Sequence, residues 1–472
     1  MDRRNFLSVV PGLYPATLLA APAYHPTSMP LRVPGELDTI PNFCTHEHWG
    51  SVASLGQAPG MFRADIKAGV LPEQPTTLVD LLVDPYMNGN LHGSGINPGK
   101  FRTAEGTTVD IMKLVGESPR TALSLLKQLL KEQILTGTFL TTRLGIEQLY
   151  DCQLDLENQD LLVELSVSIA EHYNVLFDWY ETAMKRVGFT GLIRPVHPEF
   201  YFTIDNELAW KEVGFTRTVM RIDPLLGFWE ASERKSDLFG KVGVEAGDAG
   251  TWRSFLEKMI TLAREHGCVG IKQLQAYRRN LDFEKPDDAR VKFSGELDQD
   301  EQFIFQNWMV NECSRLADEL GWPHQVHVGT HNLPDSNPLP LQKLARRYRR
   351  QKIVQIHCWP YQREAGYLAK LYDNVYIDTC WQAVLNPEYL RESLDLWLHY
   401  VPLHKITMGN DSTSIEMAAG SSLISKTILL ESLDRQLSAW YAGGKSKMEV
   451  VYDFMNNNGV DLYGYGDKRY PG

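Results

Sequence analysis

The feature that most constrains this chain is an alternation in its C-terminal half. Short, nearly unbroken apolar runs, each closed by a polar residue, take turns with longer amphipathic stretches. Cys268–Lys272, Gln325–Val328, Ile353–His357, Val375–Asp378 and Lys405–Met408 read as strands. Gln302–Leu320, Leu341–Arg350, Glu364–Tyr372, Pro387–Tyr400 and Leu423–Trp440 read as the helices that follow them. Strand–helix alternation at this spacing predicts parallel β/α units. Parallel strands are buried on both faces, which explains runs that are apolar throughout rather than at every second residue.

Three more strands complete eight: Ile40–Thr45, Gly191–Val196 and Thr216–Ile222. The expected fold class is therefore α/β, a TIM-type (β/α)8 barrel with a large insertion after the first strand. A chain of 472 residues suits it, because such barrels tolerate insertions that take them past about 400 residues. The barrel should run from 38 to 472, with residues 51–189 a mainly helical insertion over its mouth. Thr121–Glu132 and Leu161–Val187 read as helices within the insertion, and the Gly/Pro/Asn-rich Pro85–Gly99 as a loop.

The N-terminus reads as an address. Arg3 and Arg4 precede Asn5, Phe6 and Leu7, an apolar stretch runs to Ala20, and Ala21-Pro22-Ala23 supplies an A-x-A cleavage site. Residues 1–23 are expected to be a twin-arginine signal peptide, which implies an exported, periplasmic protein. The stretch is too short and too rich in Pro and Gly for a stable membrane span.

Charge narrows the partners. Lys plus Arg number 47 against 59 Asp plus Glu, a net charge of -12. Proteins that neutralise many phosphates carry a basic surplus, so nucleic acid is not expected. The basic run Arg346, Arg347, Arg349, Arg350 and Lys352 reads as the end of a helix, where cations meet the negative end of the dipole. The six cysteines form no C-x-x-C pair, and Cys44, Cys268, Cys358 and Cys380 read as buried free thiols in or beside strands. No G-x-S-x-G elbow or phosphate-binding P-loop is present.

The chemistry gathers at strand ends. His46 and His48 lie in Thr45-His-Glu-His-Trp49, two apart, so both face one side of the strand. Alone, that pair is equally two polar loop histidines. His327 closes the fifth strand, His357 the sixth, and Asp411 follows the eighth. In a (β/α)8 barrel the C-terminal strand ends form the active-site face. Packing does not account for so many imidazoles and a carboxylate at that one face, and a metal site does.

H-x-H after strand one, His after strands five and six, and Asp after strand eight resembles the amidohydrolase superfamily. Lys272-Gln-Leu-Gln-Ala-Tyr-Arg-Arg-Asn-Leu281 and Trp359-Pro-Tyr-Gln-Arg-Glu-Ala-Gly-Tyr-Leu368 are similar to one branch of it, as is Asn374-Val-Tyr-Ile-Asp378. That branch holds the amidohydrolase-type domain fused to glutamine-synthetase-like proteins. It is more distantly similar to decarboxylating members and uronate isomerases. The resemblance covers about residues 38–50 and 190–415, and the insertion contributes nothing to it.

The resemblance implies one divalent ion held by His46, His48, His327 and Asp411, zinc first and manganese second. Such an ion acidifies water and polarises a carbonyl. Asp411 would then orient the water and take its proton, and His357 would act as acid or oxyanion stabiliser. A binuclear site, with Lys272 carboxylated as a bridge and His357 on a second ion, is the less expected arrangement. Otherwise Lys272 binds a substrate anion or pairs with a neighbouring acid.

Candidate substrate contacts are Arg221 and Arg278, either of which could fork onto a carboxylate. Trp49, Trp359 and Trp381 at barrel-mouth positions could stack on a ring or pack loops together. The expected function is hydrolysis of an amide, ester or lactone bond in a small ring- or carboxylate-bearing molecule. Alternatives are a lyase, decarboxylase or uronate-isomerase-like enzyme on the same site, or a catalytically silent binding protein. A homo-oligomer is compatible with all of these.

Overall fold

The computed structural model describes residues 37–49, 76–202, 214–437 and 444–471. The signal-peptide reading of residues 1–23 falls outside them. Eight strands form one sheet in sequence order: β1 (Asn42–Cys44), β2 (Phe189–Val196), β3 (Thr216–Arg221), β4 (Cys268–Gln273), β5 (Pro323–Val328), β6 (Lys352–His357), β7 (Val375–Asp378) and β8 (Ile406–Thr407). Every neighbouring pair is parallel. The two outer strands meet through their C-terminal extensions. Thr45 N donates to Met408 O at 3.0 Å, Asp411 N to His46 O at 2.9 Å, and His48 N to Ser412 O at 3.0 Å. The sheet thus curls on itself, with helices outside, as a (β/α)8 fold requires.

Each strand lies within two residues of its expected bounds, because an apolar run between polar breaks is a local signal. β5, for example, is buried along its whole length. The basic run also lies where expected, since Arg346 and Arg347 occupy the last turn of the helix Gln342–Arg347. All six cysteines are free, and Cys44, Cys268, Cys358 and Cys380 are buried.

The insertion departs from expectation in two places. Pro85–Gly99 does not form a loop throughout, because Pro85–Gly93 is a helix. Asp84 is its N-cap, accepting from Met87 N at 2.6 Å, and Pro85 stands in the first turn, where its missing N–H and fixed φ favour a helix. The expected helix over 161–187 is two, Gln159–Asn174 and Leu176–Val187, broken at Val175 (φ -117°, ψ 51°).

The insertion builds its own apolar core, in which Leu126, Ile146, Leu162, Ile169 and Tyr180 are buried. Its helix Gly137–Tyr150 lies against Ile415–Leu437, the helix after β8. Close approach is possible only because both contact positions lack a side chain. A Cβ on Gly145 would lie 1.6 Å from Glu416 O, and one on Gly420 would lie 1.8 Å from Thr141 O. Glu416, fully buried, ties the two parts further by accepting from Tyr150 Oη at 2.8 Å and Tyr173 Oη at 2.7 Å. Among the described residues, no helix is long and apolar enough to cross a membrane.

Candidate metal centre

The strand ends deliver their polar residues to one point. His46 and His48 extend β1, and Asp411 sits four residues past β8. His48 Nε2 stands 2.9 Å and His46 Nε2 3.9 Å from Asp411 Oδ1, while His357 Nε2 stands 3.5 Å from Asp411 Oδ2. One set of mutually close donor atoms is His46, His48 and Asp411, all within 4.8 Å of each other. His357, Cys380 and Asp411 form a second set, and every member of both is buried.

The protonation states suit cation binding. Burial pushes His46 well below the ordinary imidazole range, helped by the Lys272 ammonium, and lowers both His48 and His357 to about 4. These imidazoles are neutral at pH 7 and keep a lone pair. Burial works against a charge on Asp411, but His48 and His46 beside it hold its carboxyl well below the usual carboxylate range. Neutral imidazole with ionised carboxylate is the donor set that zinc and similar divalent ions accept.

The tautomer of His46 is fixed from below. Gln325 Nε2 donates to Thr45 O at 2.8 Å and to Tyr463 Oη at 2.6 Å. Its Oε1 must therefore accept from His46 Nδ1, 2.7 Å away, which turns the lone pair of Nε2 toward Asp411. Lys272, buried and lowered to about 8 mainly by that burial, brings Nζ to 2.8 Å from the same Nε2.

Glu47 holds the opposite loop. Its side chain is fully buried; Oε1 accepts from Asn410 Nδ2 at 2.8 Å and Oε2 from Ser412 N at 2.9 Å. Asp411 is thus gripped on both flanks. Its φ of 55° lies in the left-handed region, as do those of His357 (73°), Cys358 (65°) and Trp381 (68°). Each such residue costs of order 1 kcal/mol or more and persists only where its surroundings enforce it; clusters of them mark functional sites.

The other expected contacts separate. His327 packs its ring 4.2 Å from that of His357 but lies outside both donor sets. Its Nε2 is 2.7 Å from Thr330 Oγ1, and its buried Nδ1 has no hydrogen-bond partner among the described residues. Arg221 is buried at the end of β3, in register with Lys272. Arg278 is exposed, and no described hydrogen bond or ion pair draws it to the cluster. The turn Gln275–Tyr277 directs Tyr277 there instead.

Trp49 is buried against Tyr180 in the insertion core, and Trp359 stacks on Tyr389 at 4.3 Å, so both rings are spent on packing. Trp381 meets the site, with its ring 5.2 Å from His357 and stacked 5.6 Å from His331. Tyr277 continues that wall, 4.5 Å from His331 and 4.4 Å from His327.

Sequence reasoning missed Tyr86, Tyr277, His331 and Cys380. Tyr86 reaches in from the insertion, its Oη donating to Asp411 Oδ1 at 2.8 Å and its ring 5.0 Å from Trp381. Asp84, which caps that helix, also accepts from Thr413 Oγ1, so the helix start is pinned just past Asp411. The Asp-Pro helix start was the signal that could have found Tyr86.

Fold and site together define a class: a (β/α)8 barrel with a buried His/Asp cluster able to hold a metal at its C-terminal mouth. Residues 228–423 match the amidohydrolase family model (Amidohydro_2), and the amidohydrolase-superfamily resemblance read from the sequence is borne out. The chain is 31% identical over 153 residues to Protein fluG of Emericella nidulans, covering 27% of this chain and 18% of that relative. It thus spans less than a fifth of that relative's length.

Solved structures share the fold over nearly the whole chain. Uronate isomerase from Thermotoga maritima has a TM-score of 0.69 at 14% identity, covering 91% of this chain and 96% of that one. Glucuronate isomerase from Caulobacter crescentus has 0.67 at 15%, covering 92% and 94%. A protein from Lactobacillus casei ATCC 334 assigned as a metal-dependent hydrolase has 0.58 at 17%, covering 91% and 96%.

Proposed function

We propose that this chain is a metal-dependent hydrolase that cleaves an amide, ester or lactone bond in a small ring-bearing molecule. The observation that carries the reading is the buried set of His46, His48 and Asp411, with two neutral imidazoles and one ionised carboxylate within 4.8 Å. One divalent ion, zinc first and manganese second, fits that set and supplies Lewis acidity when bound. His46, His48 and Asp411 would hold it, with His327 as the remaining candidate ligand.

The chain's own groups do the rest. Asp411 is the base, its ionised Oδ2 facing His357 and its Oδ1 shared by His48 and Tyr86. His357 is anchored by Nδ1 donation to Cys380 O at 3.1 Å, which leaves Nε2 toward Asp411 to relay that proton. Trp381, His331 and Tyr277 form a wall of rings that orients a flat substrate and excludes water.

A second reading, isomerisation of a sugar acid, draws on the likeness to uronate isomerases over nine-tenths of the chain. The test is elemental analysis of protein purified without added metal, wild type and His46→Ala, followed by a substrate screen in ¹⁸O-water. The hydrolase reading expects about one ion per chain, lost in the variant, and one ¹⁸O in the product. Turnover without ¹⁸O in a carboxyl product selects the isomerase reading; about two ions per chain makes Lys272 a bridge.

A further inference from the structure

One cluster at the barrel mouth lies outside the metal set: His197 just past β2, Arg221 at the end of β3, and Arg234 on the helix Glu233–Val242. Arg221 Nη1 lies 3.3 Å from His197 Nε2, and Arg234 Nη2 lies 2.6 Å from His197 Nδ1. A neutral imidazole has one N–H and one lone pair, and guanidinium only donates. One of the two contacts therefore sets donor against donor. Burial and the two guanidiniums lower His197 to about 4, so it stays neutral at pH 7 and keeps a single lone pair for the two guanidiniums.

The nearby carboxylates are already committed. Glu199 takes Arg234 through both of its oxygens. Asp223 receives Arg221 Nε at 3.3 Å on Oδ2 and Leu274 N on Oδ1. Among the described residues, no carboxylate oxygen hydrogen-bonds the Nη1–Nη2 edge of Arg221, although the side chain is only 10% exposed. A buried guanidinium edge that shares one neutral imidazole with a second guanidinium and has no carboxylate on it is short of an anion.

Its position makes that anion a substrate group. Arg221 pairs in register with Lys272, whose Nζ touches His46. Its charge is felt at His48, Lys272 and Tyr277. Tyr277, which feels that charge, stacks on His331, and His331 stacks on Trp381.

We propose that Arg221, steadied by Asp223 and flanked by His197 and Arg234, is the carboxylate-recognition residue of this site, and that its substrates are planar ring compounds bearing a carboxylate. This rests on the site reading above but not on the reaction type. An entering carboxylate takes both Nη atoms and gives the His197–Arg contacts the acceptor they lack.

The experiment is calorimetric binding of benzoate and of neutral benzamide to the metal-loaded full chain, for wild type, Arg221→Met and Arg221→Lys. Metal content and thermal midpoint establish that each variant is folded and loaded. The expected result is benzoate binding weakened roughly 10- to 100-fold in Arg221→Met, with benzamide unchanged. Arg221→Lys, which keeps the charge but not the fork, should fall between and remains informative if the Met variant does not fold.

Wild-type protein that fails to bind benzoate overturns the proposal, as do equal losses for both ligands. Benzoate binding that survives Arg221→Met but vanishes on metal removal also overturns it, by assigning the carboxylate to the ion. Benzoate bound through Arg221, in a protein that hydrolyses nothing in the screen, retains this inference and removes the hydrolase reading alone.

Discussion

Glu47→Ala tests how the site is held. Glu47 stands between the two histidines of β1 but points away from their cluster, into the loop that carries Asp411. Its carboxyl receives Asn410 Nδ2 at 2.8 Å, Ser412 N at 2.9 Å and Cys44 Sγ at 3.1 Å. Alanine removes every acceptor and leaves two N–H donors buried. Each orphaned donor costs about 1–3 kcal/mol, less whatever a water entering the new space returns. The loss falls on residues 410–412, where Asp411 is already held at a φ of 55°. Freed of the clamp, the loop relaxes toward ordinary backbone and takes the carboxylate off the imidazoles.

Partners that orient metal ligands typically contribute roughly 10- to 100-fold in metal affinity, about 1.4–2.8 kcal/mol, which a single orphaned donor already matches. The assay is competition for zinc against a chromogenic chelator, on wild type and variant, with circular dichroism to confirm the fold. Glu47→Gln is the companion. It keeps one acceptor oxygen where the carboxyl has two, so its loss of affinity should fall between those of wild type and alanine. An alanine variant that binds zinc within about twofold of wild type would refute the clamp.

Three further outcomes are expected. Gly420→Ala drives a Cβ to 1.8 Å from Thr141 O and should lower stability by about 1–3 kcal/mol or more, whereas Gly240→Ala, with nothing within 4 Å, should be neutral or stabilising; thermal unfolding compares them. His324, fully buried and lowered to about 3 by that burial, stays neutral in the fold while the unfolded chain protonates near its ordinary value of 6.5. Its stabilising contribution is therefore complete above pH 6.5 and declines as pH falls toward 3, by about 1.4 kcal/mol per unit, so urea unfolding of His324→Gln should show a shallower loss between pH 6.5 and 5 than wild type. Tyr86→Phe removes the O–H that favours ionised Asp411, so the acid limb of zinc release should move to higher pH; an unmoved limb would mean that the hydroxyl does not act on the carboxylate.

The barrel, and the strand-end residues that cluster at its mouth, were legible from local pattern. Strands buried on both faces must be apolar throughout, so β4 to β8 stand out locally, and a polar residue ending such a run must emerge at the barrel's C-terminal mouth. His46, His48, His357 and Asp411 were legible for that reason. So was the helix end at Arg346 and Arg347, where the charge follows the dipole.

Packing settled which tryptophan reaches the site. Trp49, Trp359 and Trp381 all follow the ends of strands, but Tyr180 and Tyr389 claim the first two rings. It also decided the inward reach of Tyr86, which meets Asp411 across 325 residues, and the tautomer of His46, set by Gln325 across 279. Nor does any local pattern bring Arg221 and Arg234 to opposite nitrogens of His197. Periodicity reports which face of an element is buried. Which side chain meets which depends on how separate elements close on one another, and that is a property of the packed chain.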